Sequence, residues 1–431
     1  MQKTSIPVPH FTTALSGPLA YLEKKLLQER IKIESWIRQQ LRHKLPPPYC
    51  SVDLRNSCFK IAPVDTNLFP AGFNNLNPAF LPLCIQATQS MMEQSFPGCQ
   101  RILLIPENHT RNQFYFESIA TLQDIFSKAG FDIRIGSLLP ELHKPHEVKL
   151  TSGRKLLLEP IIRNGNRVGV AGFDACTILL NNDLSEGIPE ILQNIEQKMT
   201  PPPQLGWANR LKSHHFNHYQ QVTNEFAQLI DIDPWLLNPL FDYCDGINFV
   251  RKEGEEILID KTAKLLAEIQ KKYDQYQIKH RPFVVIKANS GTYGMNIMMV
   301  QDVDQIRQMN RKERTRMSVS KGGQEVDNVI LQEGVYTFET WGEKESVAEP
   351  VVYMIGNHVV GGFYRVHIER GINENLNAPG MHFEPLAFVQ ACNNPDQTCS
   401  PEDCTNRFYA YGVIARLALI AAARELKEIV P

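Results

Sequence analysis

The chain has 431 residues, 43% apolar and 21% charged, an ordinary globular composition with room for two or three domains. Lysine and arginine total 45 against 47 acidic residues, a formal charge of −2, which gives no reason to expect a nucleic-acid partner or a polybasic membrane contact. The 25 glycines and 28 prolines are too few and too scattered for a collagen-like or disordered chain.

The opening MQKTSIPVPHFTTALSG has no sustained apolar stretch, so no secretory leader is expected. No run of about 18 apolar residues occurs, so no membrane partner is expected either. The nine cysteines are odd in number and scattered, which fits reduced thiols and a cytoplasmic location. Cys392, Cys399 and Cys404 lie close together, but not at zinc-knuckle spacing, and are read as free thiols.

Residues 19–45 read as one helix, with Leu22, Leu26, Ile33 and Ile37 near helical spacing, stopped by Pro46-Pro47-Pro48. Residues 51–78 show little periodicity and read as an irregular, half-apolar loop. It holds Asp53, Arg55, Lys60, Asp65, Asn67, Asn74, Asn75 and Asn77. Asparagines can serve irregular backbone, whereas Arg55 and Lys60 suit a carboxylate or phosphate ligand. A strand over 101–106, a helix bearing Ile119, Leu122 and Phe126 closed by Gly130, and a strand over 131–135 form a β-α-β pattern. A buried strand follows at 176–180. Ligands of open α/β sheets gather beyond the carboxyl ends of strands, here at Glu107 to Asn112, which includes Arg111, and at Asn181, Asn182 and Asp183. The plainer alternative is that these asparagines make turns and caps. Pro201-Pro202-Pro203 suggests a boundary, giving an N-terminal parallel-sheet domain over 1–205 and a second domain over 206–431.

The second half carries the strongest motif. A strand over 283–287 ends in Lys287, a loop with Gly291, Gly294 and Met295 follows, and a strand returns over 296–300. Glycines let backbone N–H groups approach an anion, and a lysine at the strand end can neutralise phosphate. The alternative is a plain hairpin with a snorkelling lysine. Gln332, Glu333, Gly334 and Val335 end another strand and could offer backbone groups to an adenine edge, with the glutamate reaching a ribose hydroxyl. Strands over 349–355 and 358–366 flank a Gly356-Asn357 turn and carry Glu349 and Arg365. Glu374, Asn375 and Asn377 form an oxygen-rich group suited to Mg²⁺. His214 and His218 stand four apart with no acid completing a set, and read as surface residues. Residues 307–316 read as a solvated basic helix, and 406–429 as a core or interface helix. No P-loop and no protein-kinase motif set is present.

Over 206–431 the order of strand lysine, glycine loop, hinge, carboxylate and arginine resembles the ATP-grasp superfamily, with Lys212 similar to its first nucleotide lysine. Nearly the whole chain resembles the proteobacterial glutamate–cysteine ligase family of ATP-grasp type, through the runs 51–78, 105–115, 180–192, 287–295 and 374–382. The fold class this implies is α/β, a parallel-sheet substrate domain followed by an ATP-grasp domain. The activity it implies is ATP-dependent joining of the glutamate γ-carboxylate to the cysteine amine through an acyl phosphate, the first step of glutathione synthesis. Its small-molecule partners would be glutamate, cysteine and ATP, with Mg²⁺ or alternatively Mn²⁺; a homo-oligomer stays open. Under this resemblance Lys287 and Lys212 hold phosphates, with Gly291, Gly294, Met295 and 332–335 around the nucleotide. Arg365 stabilises the acyl phosphate, and Glu349 with Glu374, Asn375 and Asn377 holds metal. Arg55 or Arg111 meets the glutamate α-carboxylate. Asp65, Asn67 or Asp183 meets its ammonium, and Lys60, Asn75 and Asn182 complete the substrate loop. One departure stands out: no Glu-x-Asn strand follows the last helix, so the 374–377 group either replaces that metal pair or is a substrate loop. Another amino-acid ligase and a non-catalytic nucleotide sensor are the alternatives.

Overall fold

The computed structural model describes residues 18–42, 44–108, 112–291, 297–319, 325–385 and 407–429. The architecture is mixed α/β with several sheets. Residues 51–78 are irregular only in their second part, where 3₁₀ turns Phe73–Asn75 and Pro78–Phe80 interrupt the chain; the first part is regular. Strand Tyr49–Asn56 turns into Ile61–Asn67 as an antiparallel hairpin, and its other edge pairs with Ser346–Ile355. Cys50, Val52 and Leu54 alternate with Ser51, Asp53 and Arg55, so one face is apolar and the other polar. The register slips at Val64, beside Pro63, a bulge that frees the Val64 carbonyl for other use. The six-stranded sheet continues through His358–His367 to His382–Pro385, with Glu339–Trp341 also pairing on Ser346–Ile355. Strands from both sides of residue 205 therefore share one sheet.

Each face of that sheet is covered. Cys50, Val52, Leu54, Val352 and Met354 belong to a core shared with helix Arg407–Ile429. Tyr49, Val351, Tyr353, Ile355 and Phe363 belong to a second core, built with helices Leu81–Ser95 and Gln113–Lys128. The expected β-α-β unit is present. Arg101–Pro106 and Asp132–Ser137 pair in parallel, joined by Gln113–Lys128, and Thr177–Asn181 pairs in parallel with Arg101–Pro106. Gly130 ends that helix region at φ 98°. A four-stranded antiparallel sheet runs Phe241–Asp245, Asn328–Glu333, Val284–Ala288, Ile297–Val300. Within Val284–Ala288, Val284 and Ile286 enter the core, while Val285 and Lys287 face the cleft described below.

Residues 19–45 form two helices, Pro18–Gln28 and Arg30–Leu41, broken at Glu29. The basic stretch 307–316 is less solvated than expected, because Arg314 is buried against Glu255. Among the described residues no helix is long and apolar enough to cross a membrane. Cys392, Cys399 and Cys404 lie outside the described residues.

Helix Arg407–Ile429 is apolar on almost every face, so its few charges must be matched internally. Arg416 forks onto Glu34 with both contacts at 2.7 Å, and Tyr409 donates to the same carboxylate at 3.0 Å. Glu425 takes Arg210 at 2.7 and 3.0 Å and faces His215 at 3.1 Å. Glu34→Ala strands the Arg416 charge and is expected to destabilise the fold by roughly 3–5 kcal/mol, read as an earlier urea transition. Replacing both Glu34 and Arg416 by Met should recover most of that loss; an unshifted transition in Glu34→Ala contradicts the pairing.

Candidate active site

A cleft of about 340 Å³ opens between the central sheet and the four-stranded sheet. Its floor comes from alternate residues of neighbouring strands: Asp53 and Arg55, then Glu349, Val351 and Tyr353, then Phe363 and Arg365. Glu349 stands opposite Arg365 in the strand register. Its Oε2 accepts from Arg55 Nε at 3.0 Å, its Oε1 accepts from Arg365 Nη1 at 2.5 Å, and Arg365 Nη1 also reaches Asp53 at 2.9 Å. The chain Arg55–Glu349–Arg365–Asp53 is thus a buried network of alternating charge. Burial opposes the Arg365 charge, but Asp53 and Glu349 more than offset it and hold the guanidinium protonated. Burial pushes the Asp53 carboxyl up despite Arg365.

The facing wall supplies lysines. Lys287 Nζ donates to the Val64 carbonyl at 2.7 Å, so the bulge in the N-terminal hairpin seats it. Lys212 opens helix Lys212–Ile230, lies over the Trp207 ring at 3.8 Å, and donates to the Gly291 carbonyl. Asp65 is within electrostatic reach of both. Burial alone would raise its carboxyl, yet Lys212, Lys287 and Arg210 hold it below the usual range. Burial lowers Lys287. Burial also brings Lys212 down from 10.5 to about 8, with Lys287 and Arg210 adding to the effect and Asp65 opposing it. Above the lysines, Val285, Ile297, Met299 and Val335 line an apolar slot beside Gln332. Gln332 Nε2 and Arg365 Nε are buried donors with no hydrogen-bond acceptor among the described residues.

The fold brings Arg55, Asp65, Asn67, Asp183, Lys212, Lys287, Gly291, Gln332, Glu333, Val335, Glu349, Arg365, Asn375 and Asn377 to this cleft. Others of the expected set go elsewhere. Lys60 is fully buried, 2.8 Å from Glu333 and over the Trp235 ring. The Glu333 carboxylate also takes the Trp235 indole and the Leu240 N–H, so it is spent inside the protein and does not offer itself to a ribose. Glu374 turns back onto Gly371 N–H and Arg370, and only its carbonyl faces inward, to Arg55. Asn182 closes a turn, accepting from Leu184 N–H and donating to the Pro106 carbonyl. Asn75 accepts from Asn74 within a short 3₁₀ turn. Gly334 donates to the Phe283 carbonyl, and a Cβ there would fall 2.1 Å from the Phe283 ring, so glycine is required. Arg111, Gly294 and Met295 lie outside the described residues.

Asp53 and Asn373 line the cleft without having been assigned a role, as do Trp207, Tyr353 and Phe363. Asp53 was within reach of sequence reasoning, because a strand through Arg55 puts residue 53 on the same face.

The protein-family model described as glutamate-cysteine ligase matches residues 23–426. A solved "putative gamma-glutamylcysteine synthetase" from Methylobacillus flagellatus KT is 57% identical, with 98% of this chain and 99% of that chain covered and a TM-score of 0.91. A glutathione synthetase-like effector from Globodera pallida is 11% identical over 85% of this chain and 80% of its own, with a TM-score of 0.36. D-alanyl-alanine synthetase A from Vibrio cholerae O1 is 11% identical over 74% and 81%, with a TM-score of 0.32. Those two likenesses are too loose to carry an argument. No curated protein matches the chain.

The lysine electrostatics carry a sign. A lysine depressed to about 8 loses its charge as pH rises through that value, so a triphosphate seated on Lys212 and Lys287 should bind less tightly on the alkaline side. Calorimetric ATP affinity is expected to fall above pH of about 8 and to be much flatter in Lys212→Met. The same alkaline fall in that variant would contradict the assignment.

Proposed function

We propose a mechanism for a chain that belongs to the glutamate–cysteine ligase family. It is a ligase that joins glutamate to cysteine, the entry-level step of glutathione biosynthesis, with small-molecule substrates, ATP and a divalent metal. The finer assignments that follow are our reading of the cleft. A carboxylate is a poor electrophile, and phosphorylation turns one of its oxygens into a leaving group. We infer that the γ-carboxylate of glutamate attacks the γ-phosphorus of ATP, releasing ADP and forming a γ-glutamyl phosphate. The cysteine amine then attacks the acyl carbon and phosphate leaves.

Lys212 and Lys287 hold the phosphate oxygens. The slot beside Gln332 and Val335 takes the adenine, with the unpaired Gln332 amide reading a ring acceptor. Arg365 stabilises charge on the acyl phosphate and the tetrahedral intermediate through its free Nε, while its Nη1 stays on Asp53 and Glu349. Arg55 acts by positioning: its three nitrogens bond Glu349, the Val335 carbonyl and the Glu374 carbonyl, so the protein itself holds every nitrogen of the guanidinium. The attacking ammonium must shed a proton. Asp53, raised by burial, is a better acceptor than Asp65, which its cations keep ionised.

The hard oxygens of Glu349, Asn373, Asn375 and Asn377 around one cleft fit Mg²⁺, and each Glu349 oxygen keeps a lone pair beyond its arginine. Bound there, Mg²⁺ would neutralise triphosphate charge. We assign the nucleotide-binding part an ATP-grasp role over 206–431, with the hairpin at 49–67 supplied from the 1–205 part, and a cytoplasmic setting.

The observation that carries this reading is the convergence of Lys212, Lys287 and the unpaired Arg365 Nε on one cleft. Sustained ADP release over many turnovers should require glutamate and cysteine together, because the acyl phosphate needs the amine to regenerate the free enzyme. Arg365→Lys should lower kcat by roughly a hundredfold to a thousandfold with little change in ATP affinity. Full turnover in Arg365→Lys would remove the arginine from the chemistry.

A further inference from the structure

His214 and His218 sit one turn apart on helix Lys212–Ile230 and so share a face. Nothing near them in sequence completes a ligand set, but the fold brings one from the far end of the chain. Glu428, in the last turn of helix Arg407–Ile429, points its Oε2 at both rings, 3.2 Å from His214 Nε2 and 3.3 Å from His218 Nε2. The three ligand atoms all lie within 4.8 Å of one another. This corrects the expectation of two unconnected surface histidines. His215 takes no part, since it turns to Glu425 inside the core.

We propose that His214, His218 and Glu428 bind a divalent transition-metal ion of the Zn²⁺ type where the two helices meet. None of the three lines the cleft, and the site is independent of the reaction assigned there. Zinc bonds of about 2.0–2.2 Å in a tetrahedron place neighbouring ligand atoms roughly 3.3–3.6 Å apart. Both histidine–glutamate separations already lie at or just under that edge length. His218 is 7% exposed, and although its Nε2 approaches the Glu428 oxygen at 3.3 Å, neither ring nitrogen makes a hydrogen bond among the described residues. A buried imidazole in that state is costly, and coordination through Nε2 gives that nitrogen a partner. The His214 and Glu428 side chains are 45% and 55% exposed, which leaves a side open for water as a fourth ligand. Two imidazoles and one carboxylate suit Zn²⁺, Co²⁺, Ni²⁺ or Cu²⁺, whereas Mg²⁺ prefers an all-oxygen shell. Occupancy would tie the end of the last helix to the turn that begins with Lys212.

The test uses untagged full-length protein, stripped with EDTA and titrated with ZnCl₂, then with CoCl₂ as a spectroscopic probe. One equivalent of Zn²⁺ should bind and raise Tm, and Co²⁺ should give the visible bands of a low-coordinate nitrogen–oxygen site. His214→Ala and Glu428→Gln alter exposed side chains. Each should keep the parent circular dichroism and lose roughly tenfold or more in Zn²⁺ affinity, and MgCl₂ should not reproduce the Tm rise. Absence of saturable Zn²⁺ binding overturns the proposal. So does undiminished binding in both variants, or a thiolate-type Co²⁺ spectrum, which would place the metal on cysteines.

Discussion

Charge withdrawn from water has to be matched by opposite charge, and this chain meets that requirement across strands far apart in sequence. Arg55 on the N-terminal hairpin reaches Glu349, Glu349 reaches Arg365 on the next strand, and Arg365 returns to Asp53 beside Arg55. Glu349 and Arg365 meet across neighbouring strands of the second half, but Arg55 and Asp53 complete the network only when Tyr49–Asn56 lies against Ser346–Ile355. The pairing that closes the sheet is therefore the pairing that assembles the cleft. The Val64 bulge adds a second link, since the carbonyl it frees holds Lys287 from the opposite wall.

The same logic governs the last helix. Its apolar surface fills the core beneath the central sheet, and its two buried charges reach out to Glu34 and to Arg210. Arg210 also donates to the Thr66 carbonyl, in the hairpin that carries Asp65. Packing of this helix is thus coupled, through one guanidinium, to the strand whose Val64 carbonyl seats Lys287. Rigidity of this kind is what an acyl-transfer site needs, because donors must be aimed before charge develops.

Local pattern made the second-half strands legible. Val284–Ala288 shows its alternation and glycine loop, and the hairpin around Gly356-Asn357 shows its turn. The β-α-β unit was equally plain, because its parts are consecutive. The N-terminal hairpin was not, although Cys50, Val52 and Leu54 do alternate with polar residues. Pro63 and the run of asparagines hid the period, and no local pattern reveals a partner strand in the far half. Lys60 and Glu333 show a different limit. Each has the side chain a ligand site wants, but the two are nearest neighbours in the fold and consume each other. Glu374 behaves similarly: its own loop supplies partners for its carboxylate. Glu428 is the converse, a helix-end glutamate whose meeting with two histidines depends wholly on how the helices pack.

The account turns on whether glutamate is activated by transfer of a phosphoryl group to its side-chain oxygen. Glutamate carrying a heavy-oxygen label in the γ-carboxylate, turned over with ATP and cysteine, tests this directly when the released phosphate is weighed by mass spectrometry. One labelled oxygen in each phosphate is the predicted result. Phosphate with no label, alongside normal formation of the dipeptide, would contradict an acyl phosphate and with it the roles given to Lys287 and Arg365.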